Sequence, residues 1–104
     1  MTSGKVTSAE ANPETAQRFD ELVEAFVALR DKTTAAAFLR DLCTTNEIDA
    51  MGQRLQVARM VNDGVSYQEI SRRTGASTAT VTRVAQWLHY GEGGYGAVLK
   101  RSRR

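Results

Sequence analysis

The chain has 104 residues, which is enough for one domain, because a second hydrophobic core would need about 50 residues of its own. Its only cysteine, Cys43, excludes an intramolecular disulfide and a cysteine-based zinc site. The formal charge of +2 is unevenly divided: residues 1–65 carry seven basic and ten acidic side chains, net −3, and residues 66–104 carry seven basic and two acidic ones, net +5.

Residues 1–12 contain no hydrophobic segment, and we expect them to be a disordered lead. No apolar run in the chain has the length of a signal peptide or a membrane span. With its lone thiol, the sequence is typical of a protein of the reducing cytoplasm, without a membrane partner.

Residues 13–65 are predicted to form a helical core of three helices. The first begins at Pro13, with Asn12 as N-cap, and runs to about Arg30. Its apolar residues recur at helical spacing: Phe19, Leu22, Val23, Phe26 and Val27. This stripe is wide for so short a protein, so it must pack on something large, such as a partner subunit.

The second helix is predicted from Thr33 or Thr34 to about Leu42. The third begins after a capping box of Thr44 and Glu47, and Gly64 ends it. Its expected buried face consists of Ile48, Met51, Leu55, Ala58 and Val61.

Residues 66–91 are predicted to form two helices joined by a tight turn. A capping box of Ser66 and Glu69 opens the first helix, Gly75 makes the turn, and Ser77 caps the second helix. A small apolar seam joins the two helices: Ile70, Ala76, Val81 and Val84. The pattern predicts a helix-turn-helix, a unit that typically lays its second helix in a major groove of double-stranded DNA.

The basic half of the chain coincides with this unit, as a surface that faces phosphates requires. The alternative, a soluble surface with a stray basic tail, stays open on composition alone. Residues 92–104 are predicted to form a glycine-rich turn and a basic tail, which either solubilises the protein or adds nonspecific DNA affinity.

The sequence offers no catalytic constellation. His89 is the only histidine, and no pair of carboxylates stands out as an acid and a base. The run Gly91–Gly96 matches the dinucleotide-binding pattern, but it follows a helix and no acidic residue comes after it. We therefore expect no enzyme activity, no metal site and no cofactor.

Gly52 with Arg54, followed by Ala79-Thr80-Val81-Thr82-Arg83 in the last predicted helix, resembles the Trp repressor family, and most closely its YerC/YecD branch. The resemblance covers about residues 13–96. It implies an all-α, five-helix domain with a C-terminal helix-turn-helix, assembled as an intertwined homodimer. Such a dimer would regulate transcription, acting as a repressor, by binding a two-fold symmetric operator with its reading helices about 34 Å apart.

The resemblance also implies a set of DNA-binding residues. Thr78, Ala79 and Thr82 correspond to positions that meet base edges. The preceding helix touches phosphates or bases at Tyr67, Gln68, Ser71 and Arg72, and Thr80 and Arg83 complete the set. Threonine suits thymine methyls and water-mediated contacts.

The family's corepressor pocket is matched only in part. Thr44, Arg54 and Arg83 correspond to residues that hold the amino acid, although Arg54 could equally be a surface residue paired with Asp49. Val84 and Trp87 stand where the tryptophan-binding protein has glycine and serine. We expect them to crowd the cavity, so that free tryptophan is not an effector and Trp87 fills the ligand's space.

Two alternative functions stay open at this point. The first is a regulator whose DNA affinity is switched by a small metabolite such as an amino acid. The second is a protein-interaction module that retains the fold. The DNA-binding regulator, with or without a ligand switch, would be located in the cytoplasm, on the nucleoid.

Overall fold

The computed structural model describes residues 12–102, apart from the side chain of Ser102, so most of the predicted disordered lead and Arg103 and Arg104 lie outside the described residues. Six helices and no strand occur within that range. They are α1 (Pro13–Ala28), α2 (Lys32–Leu42), α3 (Thr45–Asn62), α4 (Tyr67–Thr74), α5 (Thr78–Tyr90) and α6 (Gly94–Ser102). The all-α prediction is confirmed for these residues, and the five-helix prediction is one helix short. None of the described helices is long and apolar enough to cross a membrane.

The chain divides into two compact units after Leu42. The described part of the first contains α1 and α2. The predicted cap of α1 is confirmed, because Asn12 Oδ1 accepts hydrogen bonds from the backbone N–H groups of Glu14, at 2.9 Å, and Thr15, at 3.3 Å. Phe26 and Phe38 meet edge to face with their ring centroids 6.0 Å apart. Neither helix contains a buried residue.

The second unit begins with α3, whose two predicted ends are confirmed. Thr44 Oγ1 accepts from the Glu47 N–H at 3.1 Å, and the Glu47 carboxylate accepts from the Thr44 N–H at 2.8 Å. At the other end Gly64 has a φ of 82°, and the Val65 N–H reaches back to the Met60 carbonyl at 3.0 Å. This Schellman motif turns the chain toward α4.

The core of the second unit joins α3, α4, α5 and α6. Its buried members are Val57, Ala58, Ile70, Ala76, Val81, Val84 and Leu99. The predicted seam of Ile70, Ala76, Val81 and Val84 is therefore confirmed as buried. The predicted face of α3 was wrong at Met51, which is exposed, and it missed Val57, which is fully buried.

Helix α6 corrects the prediction of a glycine-rich turn followed by a basic tail. Gly93 has a left-handed backbone conformation, with a φ of 85°, and lies directly before the helix. The Ala97 N–H donates to the Gly93 carbonyl at 3.0 Å. The helix forms in spite of its glycines because Leu99 is buried and Tyr95 packs against the same core. Tertiary packing here outweighs a poor intrinsic helix propensity.

Candidate nucleic-acid interface

The turn between α4 and α5 is held by hydrogen bonds from side chains and backbone. Gly75 has a φ of 78°, and its N–H donates to the Ser71 carbonyl at 2.9 Å. Ser71 Oγ donates to the Ala76 carbonyl at 2.5 Å, and Ala76 N–H donates to Thr74 Oγ1 at 3.1 Å. From α3, Gln53 Nε2 donates to the Thr74 carbonyl at 3.2 Å. These bonds, together with the core that the two helices share, hold α5 in its direction relative to α4.

Helix α5 separates its two faces sharply. Val81, Val84 and Ala85 are buried in the core. The opposite face forms a shallow, open groove lined by Thr78, Ala79, Thr82, Arg83 and Gln86. The helix begins with Ser77 Oγ accepting from the Thr80 N–H at 3.1 Å, as predicted. Small side chains near the start of this face let another molecule approach the helix backbone.

The predicted DNA-binding residues of α5 fall into two groups. Thr78, Ala79, Thr82 and Arg83 are exposed and share the groove. Thr80 is half-buried, and its Oγ1 accepts from Ser77 Oγ at 3.1 Å, so it supports the start of the helix. Sequence reasoning missed Gln86. Its spacing of four residues from Thr82 could have revealed it, because residues i and i+4 share a helix face.

The predicted residues of α4 are also divided. Tyr67 and Gln68 are exposed. Ser71 is half-buried, and its hydroxyl is engaged in the turn. Arg72 is exposed and bound to Glu69 through two nitrogens.

Glu69 does not close the capping box that the sequence predicts. Ser66 Oγ accepts from the Glu69 N–H at 3.2 Å, but the Glu69 carboxylate points forward along the helix to two arginines. Arg72 Nε donates to Oε1 at 3.0 Å, Arg72 Nη2 donates to Oε2, and Arg73 Nε donates to Oε2 at 2.7 Å. Hydrogen bonds from Arg72, and then from Arg73, lower the pKa of Glu69 to about 2, and the same contact raises the pKa of Arg72.

The predicted pocket residues do not share the groove, apart from Arg83. Val84 belongs to the core and is 2% exposed, so it is closed to a ligand at the surface. Trp87 is half-buried, and Gly91 packs close to it: a Cβ at Gly91 would overlap the Trp87 carbonyl oxygen and lie 3.4 Å from Cε3 of the indole. The structure thus places Val84 inside the core and Trp87 beside the end of α5.

The remaining two pocket residues lie on or beside α3. Thr44 is exposed and caps the helix, and Arg54 is exposed along it. A Cβ at Gly52 would meet nothing within 4 Å, so the packing of this chain does not itself require glycine there. In the part of the chain that the structure describes, no group of three or more His, Cys, Asp or Glu side chains could hold a metal ion.

Comparisons with known proteins agree over most of the chain. The family model described as the Trp repressor protein matches residues 17–103. The uncharacterized protein YerC of Bacillus subtilis (strain 168) is 44% identical over 85 residues, which are 82% of this chain and 82% of that protein.

Solved structures give the same result. The crystal structure of a Staphylococcus aureus protein proposed to be a Trp repressor is 42% identical, with a TM-score of 0.75, over 82% of this chain and 85% of that one. A TrpR-like protein from Eubacterium eligens ATCC 27750 is 42% identical, with a TM-score of 0.76, over 82% of this chain and 88% of that one. Sequence and fold therefore point to a single family.

Proposed function

This chain belongs to the Trp repressor family, and on that premise we propose that it is a sequence-specific DNA-binding regulator that represses transcription by occupying an operator. The observation that carries the proposal is the exposed face of α5. Thr78, Ala79, Thr82 and Arg83 share one groove, while the opposite face of the helix is locked into the core. A protein with this activity would work in the cytoplasm, on the nucleoid.

The chemistry of that face favours a particular kind of DNA reading. Short side chains let the helix backbone come close to base edges, and threonine methyls can contact thymine methyls in the major groove. Threonine hydroxyls are suited to bridging waters, and Arg83 to a phosphate or a base edge. Much of the specificity would then come from water and DNA shape.

The dimer is part of the proposal, and α1 supports it. Its apolar residues remain exposed in the single chain, with Phe19 54% and Val27 78% accessible. An apolar stripe of this kind on a soluble protein marks an interaction surface. A second copy of the chain is the proposed occupant, because a two-fold dimer would also present two α5 helices to successive major grooves.

We further propose that DNA binding does not need free tryptophan. This proposal is supported by the burial of Val84 in the core and by the bulk of Trp87, whose indole lies 3.4 Å from a Cβ built at Gly91. In this proposal, core packing of Val84 and Trp87 holds α5 in its binding orientation. Calorimetry with L-tryptophan should therefore detect no binding at micromolar concentration. Micromolar binding that also tightens operator binding would contradict it.

Selection of bound duplexes from a random DNA pool tests the main proposal. We expect enrichment of a two-fold symmetric site with half-sites about one helical turn apart. Arg83→Gln should weaken binding to the selected site by about tenfold, the usual loss for a charge-assisted contact, and make the salt dependence shallower by about one phosphate. Arg40→Gln, an exposed arginine of α2, is the matched control. Absence of duplex binding even at low salt would favour a protein-interaction module.

A further inference from the structure

Residues 66–104, the basic half of the chain, contain few acidic side chains, and one of these binds two arginines. From residue 66 to the end of the chain only Glu69 and Glu92 are acidic. Glu69 binds Arg72 through both oxygens and Arg73 through Oε2. The side chains of both arginines remain accessible, 71% for Arg72 and 49% for Arg73. The carboxylate thus neutralises part of an otherwise basic, exposed surface.

The geometry of this contact is the one that a phosphate uses. Guanidinium groups bind carboxylates and phosphates alike through paired N–H groups. In Arg72 the edge formed by Nε and Nη2 is already taken by Glu69. A phosphate that approached the other edge would still face the negative charge of the carboxylate nearby.

We propose that Glu69 is an internal competitor for DNA phosphate, which holds Arg72 and Arg73 in the free protein and so limits the electrostatic part of DNA affinity. This inference rests on the proposed DNA-binding function and assigns a modulating role to a residue that the sequence marks only as a helix cap. A phosphate must displace the carboxylate or bind beside it, and each arginine then contributes less than a free one would.

A limit on the electrostatic part of DNA affinity matters because phosphate contacts carry no sequence information. They supply nearly all nonspecific affinity, and each one releases condensed counterions. A protein whose arginines are partly neutralised leaves DNA of arbitrary sequence more readily. The contacts of α5 with bases then contribute a larger share of the binding free energy.

The inference is tested by replacing Glu69 and measuring binding to a duplex of arbitrary sequence over a range of salt concentrations. Glu69→Gln should strengthen binding by about tenfold near 0.1 M salt and steepen the logarithmic salt dependence by about 1 to 2, as expected for one or two added phosphate contacts. Glu92→Gln is the matched control, because it removes the same charge from the other acidic residue of this half and is exposed in the loop after α5. Its change in affinity and in salt slope should be clearly smaller.

A double-mutant cycle identifies the arginine that is released. Arg72→Gln should weaken binding only slightly in the wild-type background and several-fold more in the Glu69→Gln background, because only there is Arg72 free. Glu69→Asp keeps the charge but shortens the reach, and should give an intermediate affinity. Circular dichroism and thermal melting establish that each variant is folded.

The outcomes separate this inference from the proposed function. If the wild type binds duplex DNA and Glu69→Gln binds no more tightly than Glu92→Gln, the competitor role is wrong and DNA binding stands. Weaker binding by the folded Glu69→Gln variant would likewise overturn it, because Glu69 would then orient the arginines productively. If the wild type binds no duplex at low salt, both proposals fail.

Discussion

The two units of the chain differ in how far their apolar residues are buried. Residues 43–102 bury a core that includes Val57, Ile70 and Leu99, whereas α1 and α2 bury no residue. Yet α1 also has a regular apolar stripe, which includes Phe19, Val23 and Phe26. An apolar stripe on a helix therefore predicts which face becomes buried. It does not predict whether that face packs against the same chain or against another molecule.

The reason is that most helical stability comes from packing an apolar face, because an isolated helix is marginal in water. The second unit provides that packing within itself. The first contains the edge-to-face contact of Phe26 with Phe38 but leaves Phe19 and Val27 accessible. We expect its helices to depend on a surface outside the chain.

The largest effect should come from the core of the second unit. Ile70→Ala removes a fully buried side chain and should lower the free energy of unfolding by about 2–5 kcal/mol, through lost burial and the cavity left behind. Denaturant titration at a fixed protein concentration measures the loss. Gln68→Ala, two residues earlier and exposed, should change stability by no more than about 0.5 kcal/mol.

The next effect concerns association rather than folding. Phe19→Lys places a charge in the middle of the exposed stripe of α1 and should weaken self-association by about 30-fold or more, a cost of about 2 kcal/mol. Sedimentation velocity over a dilution series measures it. Gln17→Lys adds the same charge beside Glu21, to which Gln17 Nε2 already donates at 3.2 Å, and should leave association unchanged. Equal behaviour of the two variants would show that this stripe is not the interface.

A glycine pair probes how closely the second unit is packed. Gly91→Ala forces a methyl group against the Trp87 carbonyl oxygen and should cost about 1–3 kcal/mol, the usual range for overpacking. Gly96→Ala lies in α6 with nothing within 4 Å of the new Cβ and should stabilise the protein by about 0.5–1 kcal/mol. Thermal melting of the two variants should therefore shift in opposite directions.

The smallest effect is the pH response of Glu69. Because its pKa is lowered to about 2 from 4.5, its ion pairs contribute at neutral pH and are lost as the pH falls from about 4.5 to 2. Carbon-13 NMR of the labelled carboxyl should show this midpoint. In the Arg72→Gln/Arg73→Gln variant the midpoint should return toward 4.5. A wild-type midpoint near 4.5 would mean that the contacts do not persist in solution.

Sequence predicted those elements whose signals are local. The caps at Asn12, Thr44 and Ser77, and the left-handed turn at Gly75, are confirmed because each depends on a few neighbouring residues. Helix α6 was missed because its glycines argue against a helix, and only the burial of Leu99 in a core made by distant residues reverses that.

The candidate interface was likewise predictable only in part. The family resemblance assigned Thr78, Thr82 and Arg83 to DNA binding, and the structure shows that these three residues line one groove. The sequence could not predict that Ser71 would donate to the Ala76 carbonyl across the turn, which depends on how the chain closes there. For Glu69 the sequence predicted only a capping box, whereas the structure shows bonds to Arg72 and Arg73, which are stronger because they are charge-assisted.

The burial of Leu99 attaches the short helix α6 to the core of the second unit, so the opening of α6 also affects that core. Helix α6 contacts only α5 and α3 among the described helices, and it is short and contains glycine, so it should be the first element of the second unit to open in native-state hydrogen exchange. Opening removes Leu99 from the core that it shares with Val81 and Val84 of α5. A substitution that removes the Leu99 side chain should therefore loosen α5 without touching its proposed DNA-binding face.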